Sequence, residues 1–174
     1  MMGAPVQYQV GEKVVYPSQG VTIVEDIAQE ELAGMTVECY HLRLVATESK
    51  VVVPVHNVDK VGLRPLSEAE DVAESLRRLR ANDVDQNGDW KDRYRANLER
   101  IKTGELGEVV DVLLCLAEVA SRKTLSFRER KMFDQAQQIL VYEVAEVEDR
   151  DVDEVNREVD TILEAHMGSS ESTD

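Results

Sequence analysis

Residues 50–79, KVVVPVHNVDKVGLRPLSEAEDVAESLRRL, decide the fold, because the pattern changes period inside them. KVVVPV at 50–55 is a β-branched run that reads as a strand, and Pro54 near its end cannot donate to a ladder. That strand is expected at an edge or at a bulge. After Pro65 the spacing turns helical: Ser67-Glu68-Ala69-Glu70 has the form of a capping box, and Val72, Leu76 and Leu79 continue one face.

Working back from this switch, residues 1–64 carry further strand signals. VVYP at 14–17 leads into the turn Ser18-Gln19-Gly20 and then Val21-Thr22-Ile23-Val24. Beyond Gly34, residues 36–45 alternate: Tyr40, Leu42 and Leu44 interleave with Cys39, His41 and Arg43, as in a half-buried strand. Four or five strands in about 60 residues bury a core best by curling into a small SH3- or Tudor-like barrel. An exposed edge of such a barrel can accept another protein's strand.

Working forward, Asp89 is placed to cap a helix whose stripe is Trp90, Tyr94, Leu98 and Ile101, stopping at Thr103-Gly104. Residues 105–120 are rich in Val and Leu. Ser126-Phe127-Arg128-Glu129 is a second capping box, opening a helix with Met132, Phe133, Ala136, Ile139, Leu140 and Val144. A last acidic helix runs from Asp151 to His166 with Val155, Val159 and Ile162 on one side. The fold class is therefore α+β, a small barrel followed by an all-helical domain. The expected division is 1–65, 66–167 and a frayed tail at 168–174.

The 174 residues include 20 basic and 35 acidic side chains, a formal net charge of −15. A uniform spread of that charge would repel phosphates, so distribution decides. Residues 77–131 hold 13 basic against 10 acidic side chains, whereas 132–174 hold 2 against 13. Two clusters stand out: Lys91, Arg93, Arg95, Arg100 and Lys102, then Arg122, Lys123, Arg128, Arg130 and Lys131. A basic patch is embedded in an acidic protein.

Enzymatic motifs are absent from the sequence: no GxxxxGK, GxGxxG or HExxH occurs, and no catalytic, cofactor-binding or metal-binding residue is assigned. Cys39 and His41 share a strand face, but a metal would need two more ligands, so packing is the expectation. Residues 83–88, DVDQNG, copy the start of an EF-hand loop, but Tyr94 stands where the bidentate Glu belongs, so a polar turn is expected. Two cysteines form no disulfide framework. With no signal peptide and no apolar run of about 20 residues, a cytoplasmic protein is expected. Trp90 has two readings: packed on its helical stripe, or exposed beside Lys91, Arg93 and Arg95 as an apolar wedge among cations.

The sequence resembles the CarD/CdnL family of bacterial transcription regulators. The likeness rests on GEKVVYPSQGV at 11–21, YHLRL at 40–44, VPV at 53–55 and VGLR at 61–64. It continues through W-x-x-R-Y at 90–94, LSFRERKM at 125–132 and ILVYEVA at 139–145. The resemblance implies a Tudor-like domain that docks on the β subunit of RNA polymerase. It also implies a helical domain whose tryptophan stabilises the promoter open complex at the upstream edge of the −10 element. On that basis Val52 and Pro54 match polymerase-contacting positions. Trp90 matches the wedge, and Arg93, Arg95, Arg130 and Lys131 match basic positions facing DNA. Glu30 and Val52 stand where some relatives carry arginine toward the polymerase, and Asp92 where relatives commonly carry a DNA-contacting one. The alternative is a polymerase-binding interaction protein whose acidic helical domain binds DNA weakly or not at all. Polymerase is the implied partner in both readings and promoter DNA in the first, with Asp92 and the acidic segment 132–174 opposing that contact. No membrane is implied, and the implied location is the cytoplasm, on the nucleoid through polymerase.

Overall fold

The computed structural model of the protein describes residues 7–83 and 90–168, with the side chains of 90–92 excepted. The side-chain readings of Trp90 and Asp92, the capping role of Asp89, the loop 84–88 and the tail 169–174 therefore lie outside the described residues.

The chain opens with β1 (Lys13–Tyr16), β2 (Gly20–Leu32), β3 (Met35–Leu44) and β4 (Lys50–Pro54). A turn of 3-10 helix (Val55–Asn57), the short α1 (Val58–Val61) and β5 (Arg64–Pro65) follow. The strands form one antiparallel sheet in the order β4-β3-β2-β1-β5, so β4 is an edge strand, as Pro54 led us to expect. Alternation sets its faces. In the row Ile27, Tyr40, Val53 the side chains turn inward; in the neighbouring row Asp26, His41, Val52 they turn outward. An irregularity between Val24 and Asp26 resets this register. The inner face, with Val14, Val24, Tyr40, Leu42, Val53 and Leu63, makes the first apolar cluster. The Tyr40 hydroxyl accepts the amides of Gln7 at 2.8 Å and Tyr8 at 3.1 Å, tying the incoming chain to that core.

The second strand, signalled by Val21–Val24, runs on to Leu32 and is separated from β3 by the turn at Gly34, pairing with β3 as far as Met35. β1 pairs with β2 only as far as Ile23. Alongside β4 the sheet stays three strands wide as far as Ala28, and beyond it residues 29–32 of β2 and 35–38 of β3 form a two-stranded ribbon that leaves the core. Water reaches both of its faces, which is why residues 29–32 show no apolar alternation.

The second half is helical: α2 (Ala69–Ala81), α3 (Trp90–Thr103), α4 (Leu106–Arg122), α5 (Phe127–Glu148) and α6 (Val152–Gly168). α4 is the central rod, packed against α2, α3, α5 and α6. Its Val109, Val110, Val112, Leu113, Leu114 and Leu116 are all buried. Each such side chain contributes about 1.5–3 kcal/mol before the entropy of ordering is counted. The α+β class read from the sequence is thus the architecture observed.

The helix caps divide. At α5 both arms of the capping box form: Glu129 N donates to Ser126 Oγ, and Ser126 N to Glu129 Oε1. At α2 the box expected at 67–70 does not form. The N-cap is Glu68, with no side-chain cap, and the Ser67 hydroxyl donates instead to Glu143 Oε2 at 2.6 Å. A second correction concerns the stripe of α3. Leu98 is 38 % exposed and Asn97 takes the buried place. The Asn97 amide donates to Cys115 Sγ at 3.4 Å and its carbonyl accepts from Arg100 at 3.0 Å. A buried amide with partners costs little, so it can replace leucine at the interface.

Candidate functional site

Two surfaces carry the residues that the sequence singles out, one on the sheet and one on the helices. On the sheet, β4 pairs with β3 on one side only, in register from Cys39 opposite Pro54 to Arg43 opposite Lys50. Val53 is buried and anchors the strand, whereas Val52 is 45 % exposed on the outer face. Pro54 is half-buried at the strand's end. An edge of this kind presents unpaired backbone groups, which a partner strand can satisfy.

Around this edge the surface is acidic. The outer part of β2 and β3 carries Glu25, Asp26, Glu30, Glu31 and Glu38, and the tip of their ribbon exposes Leu32 and Met35. Glu25 pairs with Arg43 at 2.6 Å, and Glu30 Oε1 lies 3.1 Å from His41 Nε2, beside Val52 in the outward row. Cys39, next along the strand, is a buried free thiol. Burial pushes its pKa up, with the Glu30 charge adding to the effect, so it stays protonated and unreactive. Among the described residues, no group of three or more His, Cys, Asp or Glu side chains could hold a metal ion. Among them, too, no helix is long and apolar enough to cross a membrane.

On the helices, a cleft of about 570 Å³ opens where α3, the end of α4 and the start of α5 meet. Leu116, Val119 and Tyr94 give it an apolar floor, and Arg93, Arg95, Arg122, Lys123 and Arg128 ring it. Arg122 is paired with Glu118, and Arg128 stacks on Tyr94 with 5.6 Å from its guanidinium to the ring centroid. Among the described residues the buried Nε of Arg93 has no hydrogen-bond partner, and exposed Arg95 has none either. Cations without carboxylate partners keep their charge available for an incoming anion, which exposed ion pairs do not. Beside the cleft, Phe127 is 84 % exposed at the first turn of α5. Its exposure among cations was not legible from the capping-box pattern, where it occupies only the position after the cap.

The structure groups the expected DNA-facing residues unequally. Arg93 and Arg95 share the cleft, and Lys131, three residues after Arg128, continues the same side of α5. Arg130 does not join them. It lines a separate groove with Asp134, Asp153 and Asp160, lies 3.5 Å from Asp134 and stacks on Phe133. Arg100 and Lys102, counted in the first basic cluster, are held by Glu108 and Glu99. The acidic side of the molecule is likewise locked. Arg150 hydrogen-bonds Glu158, Glu154 and Glu148, and that bond, aided by Arg80, holds the Glu158 carboxyl below the ordinary carboxylate range.

Comparison with known proteins agrees with this two-part geometry. Residues 8–67, which hold all five strands, match the family described as the CarD-like/TRCF RID domain, whose fold is Tudor-like. Residues 74–160 match the family described as the CarD C-terminal domain. A Bacillus subtilis protein described as "Putative transcription factor YdeB" is 28 % identical over 137 residues, covering 79 % of this chain and 90 % of the relative. With both halves matched in order, the chain belongs to the CarD family, a class of transcription regulators that interact with RNA polymerase and not of enzymes.

Proposed function

We propose that the protein docks on the β subunit of RNA polymerase through the β4 edge and stabilises the promoter open complex through the helical cleft. The sheet unit, residues 1–65, serves docking, and the helical unit, residues 66–167, faces DNA. The observation that carries this reading is the ring of Arg93, Arg95, Arg122, Lys123 and Arg128 about one cleft in a chain of net charge −15. Trp90 begins the helix that supplies Arg93 and Arg95. It acts at the upstream edge of the −10 element, where an indole fills the space beside an unstacked base step while the cations hold phosphates. Bound equally to closed and open complexes, the protein would shift nothing, so these contacts belong to the open state. Its place is then the cytoplasm, on the nucleoid, through polymerase.

A second reading is favoured by the acidic groove that holds Arg130 and by Asp92 beside the wedge position. In it the protein binds polymerase, while its helices bind DNA weakly or not at all. One experiment separates the two. Open-complex lifetime on a promoter is measured with purified polymerase alone, with the wild type and with Trp90→Ala. The first reading expects the wild type to lengthen the lifetime and Trp90→Ala to lose that effect while still docking and keeping its unfolding midpoint. Were Trp90 a core residue, truncation would instead lower stability by about 3–5 kcal/mol. A wild type that docks without changing the lifetime favours the second reading.

A further inference from the structure

The two surfaces sit on different parts of the chain, and α5 joins them. Its face toward the sheet is a single stripe, Gln135, Ile139, Glu143 and Glu146, at the i, i+4, i+8, i+11 spacing of one helix side. Gln135 Nε2 donates to the Ser18 carbonyl at 2.5 Å. Ile139 lies against Gly20, where a Cβ would sit 3.7 Å from it, and Glu146 pairs with Lys13 of β1. At the centre Glu143 is completely buried.

Every bond that Glu143 accepts comes from the sheet side or the linker. Arg64 Nη2 donates to Oε1 at 2.7 Å and Nη1 to Oε2 at 2.9 Å. Ser67 adds its backbone N–H at 2.9 Å and its hydroxyl at 2.6 Å. The same guanidinium reaches the Gly104 carbonyl through Nε at 2.9 Å and Nη2 at 2.7 Å, so Arg64 also holds the turn between α3 and α4. Gly104 has φ of +73°, and a Cβ there would lie 3.2 Å from Pro17 of the first hairpin. Three segments far apart in sequence thus close on one planar cation.

Apolar contact alone would let the sheet slide on the helices, because it has no preferred direction. A bidentate fork does not slide. We infer that Arg64 and Glu143 are positioning residues: they fix the docking edge at one distance and angle from the cleft, so that a docked protein meets DNA in register. This rests on the function proposed above. The strut between the two ends is helix throughout, about 18 Å from Lys131 to Glu143 at 1.5 Å per residue.

The test is Glu143→Gln in the full chain. Glutamine keeps the volume, but its NH₂ group faces N–H donors where a carboxylate oxygen had accepted them. Arg64→Lys is the second variant: it keeps the charge, but its compact ammonium lacks the planar fork that bonds both Glu143 oxygens and the Gly104 carbonyl in fixed geometry. Spin labels at Lys50→Cys on β4 and Glu164→Cys on α6 report the distance between the two units. Affinity for polymerase and open-complex lifetime are measured on the unlabelled variants. We expect one narrow distance in the parent, a broadened distribution in both variants, unchanged docking, and loss of the lifetime extension. Joining Ser18→Cys to Gln135→Cys with a short bis-maleimide should restore the extension in Glu143→Gln, which a purely stabilising role would not require. If Glu143→Gln unfolds, Arg64→Lys decides. A narrow distribution in a folded variant, or a full lifetime effect from a docked one, overturns the inference. A wild type that fails to lengthen the lifetime overturns the functional reading instead, and the distance measurement still judges the latch.

Discussion

On the function proposed above, the β4 edge and the helical cleft recognise partners by different physics. The edge offers main-chain groups, whose spacing is the same whatever side chains they carry, and its surroundings are acidic. The cleft offers side-chain charge on an apolar floor, and its action depends on which residues stand at a few positions. Recognition by backbone tolerates substitution, and recognition by charge does not. On that reading Glu30 and Val52 cost the edge little, whereas Asp92, next to Arg93 in sequence, matters.

The sharpest way to break this contrast is to reverse the cleft's charge. In Arg93→Glu/Arg95→Glu the local charge changes by four units next to the proposed DNA path. Binding to fork-junction DNA in the presence of polymerase should fall steeply. If both residues hold phosphates, the log–log salt slope should flatten by about 1.8, since each contact contributes roughly 0.9. Affinity for polymerase without DNA should not move. Equal loss of docking and DNA binding would mean that the two surfaces are not separate.

The same distinction explains what the sequence disclosed. Elements that bury one face announce themselves: Tyr40, Leu42 and Leu44 alternate because water touches one side of β3 only. The ribbon at 29–32 and 35–38 shows no pattern because neither of its faces is buried, so its strands are held by pairing alone. Counting apolar residues placed Leu98 on the inner face of α3, but Asn97 took it, since the Cys115 sulfur and Arg100 satisfy its amide. Glu143 lies within ILVYEVA, where a carboxylate amid buried positions signals a hidden cation. Its partner Arg64 is 79 residues away, beyond the reach of any local spacing. Ser67 illustrates the cost of this. Its capping-box spelling is correct, but the buried Glu143 carboxylate claimed the hydroxyl first. For the functional sites, the basic clusters were visible as composition. Their division into a cleft and a separate acidic groove was not, because residues 128 and 130 turn to nearly opposite sides of one helix.

A smaller effect, of opposite sign, is expected at Asp92. Replacing it with arginine changes the charge by two units in the helical turn that carries Arg93 and Arg95. DNA affinity in the polymerase complex should rise, and one new phosphate contact would steepen the salt slope by about 0.9. Polymerase affinity should again stay where it was. An unchanged slope would place residue 92 away from DNA and shift weight to the interaction-protein reading.

The smallest effect should come from Glu30→Gln, and that is its use. The change removes one charge from the proposed docking surface, beside His41, which lies in one outward row with Val52. The Glu30 side chain is 43 % exposed, and a solvent-accessible ion pair contributes about 0–1 kcal/mol, so the unfolding midpoint should barely shift. If polymerase is held by strand addition along β4, its affinity should be nearly unaltered and only weakly dependent on salt, because neutral main-chain bonds release no counterions. Calorimetry of the full chain against polymerase at two salt concentrations reads both quantities. A marked change in affinity together with a changed salt dependence would show that docking is read by charge after all. The edge and the cleft would then differ in the sign of their charge and not in the physics of recognition.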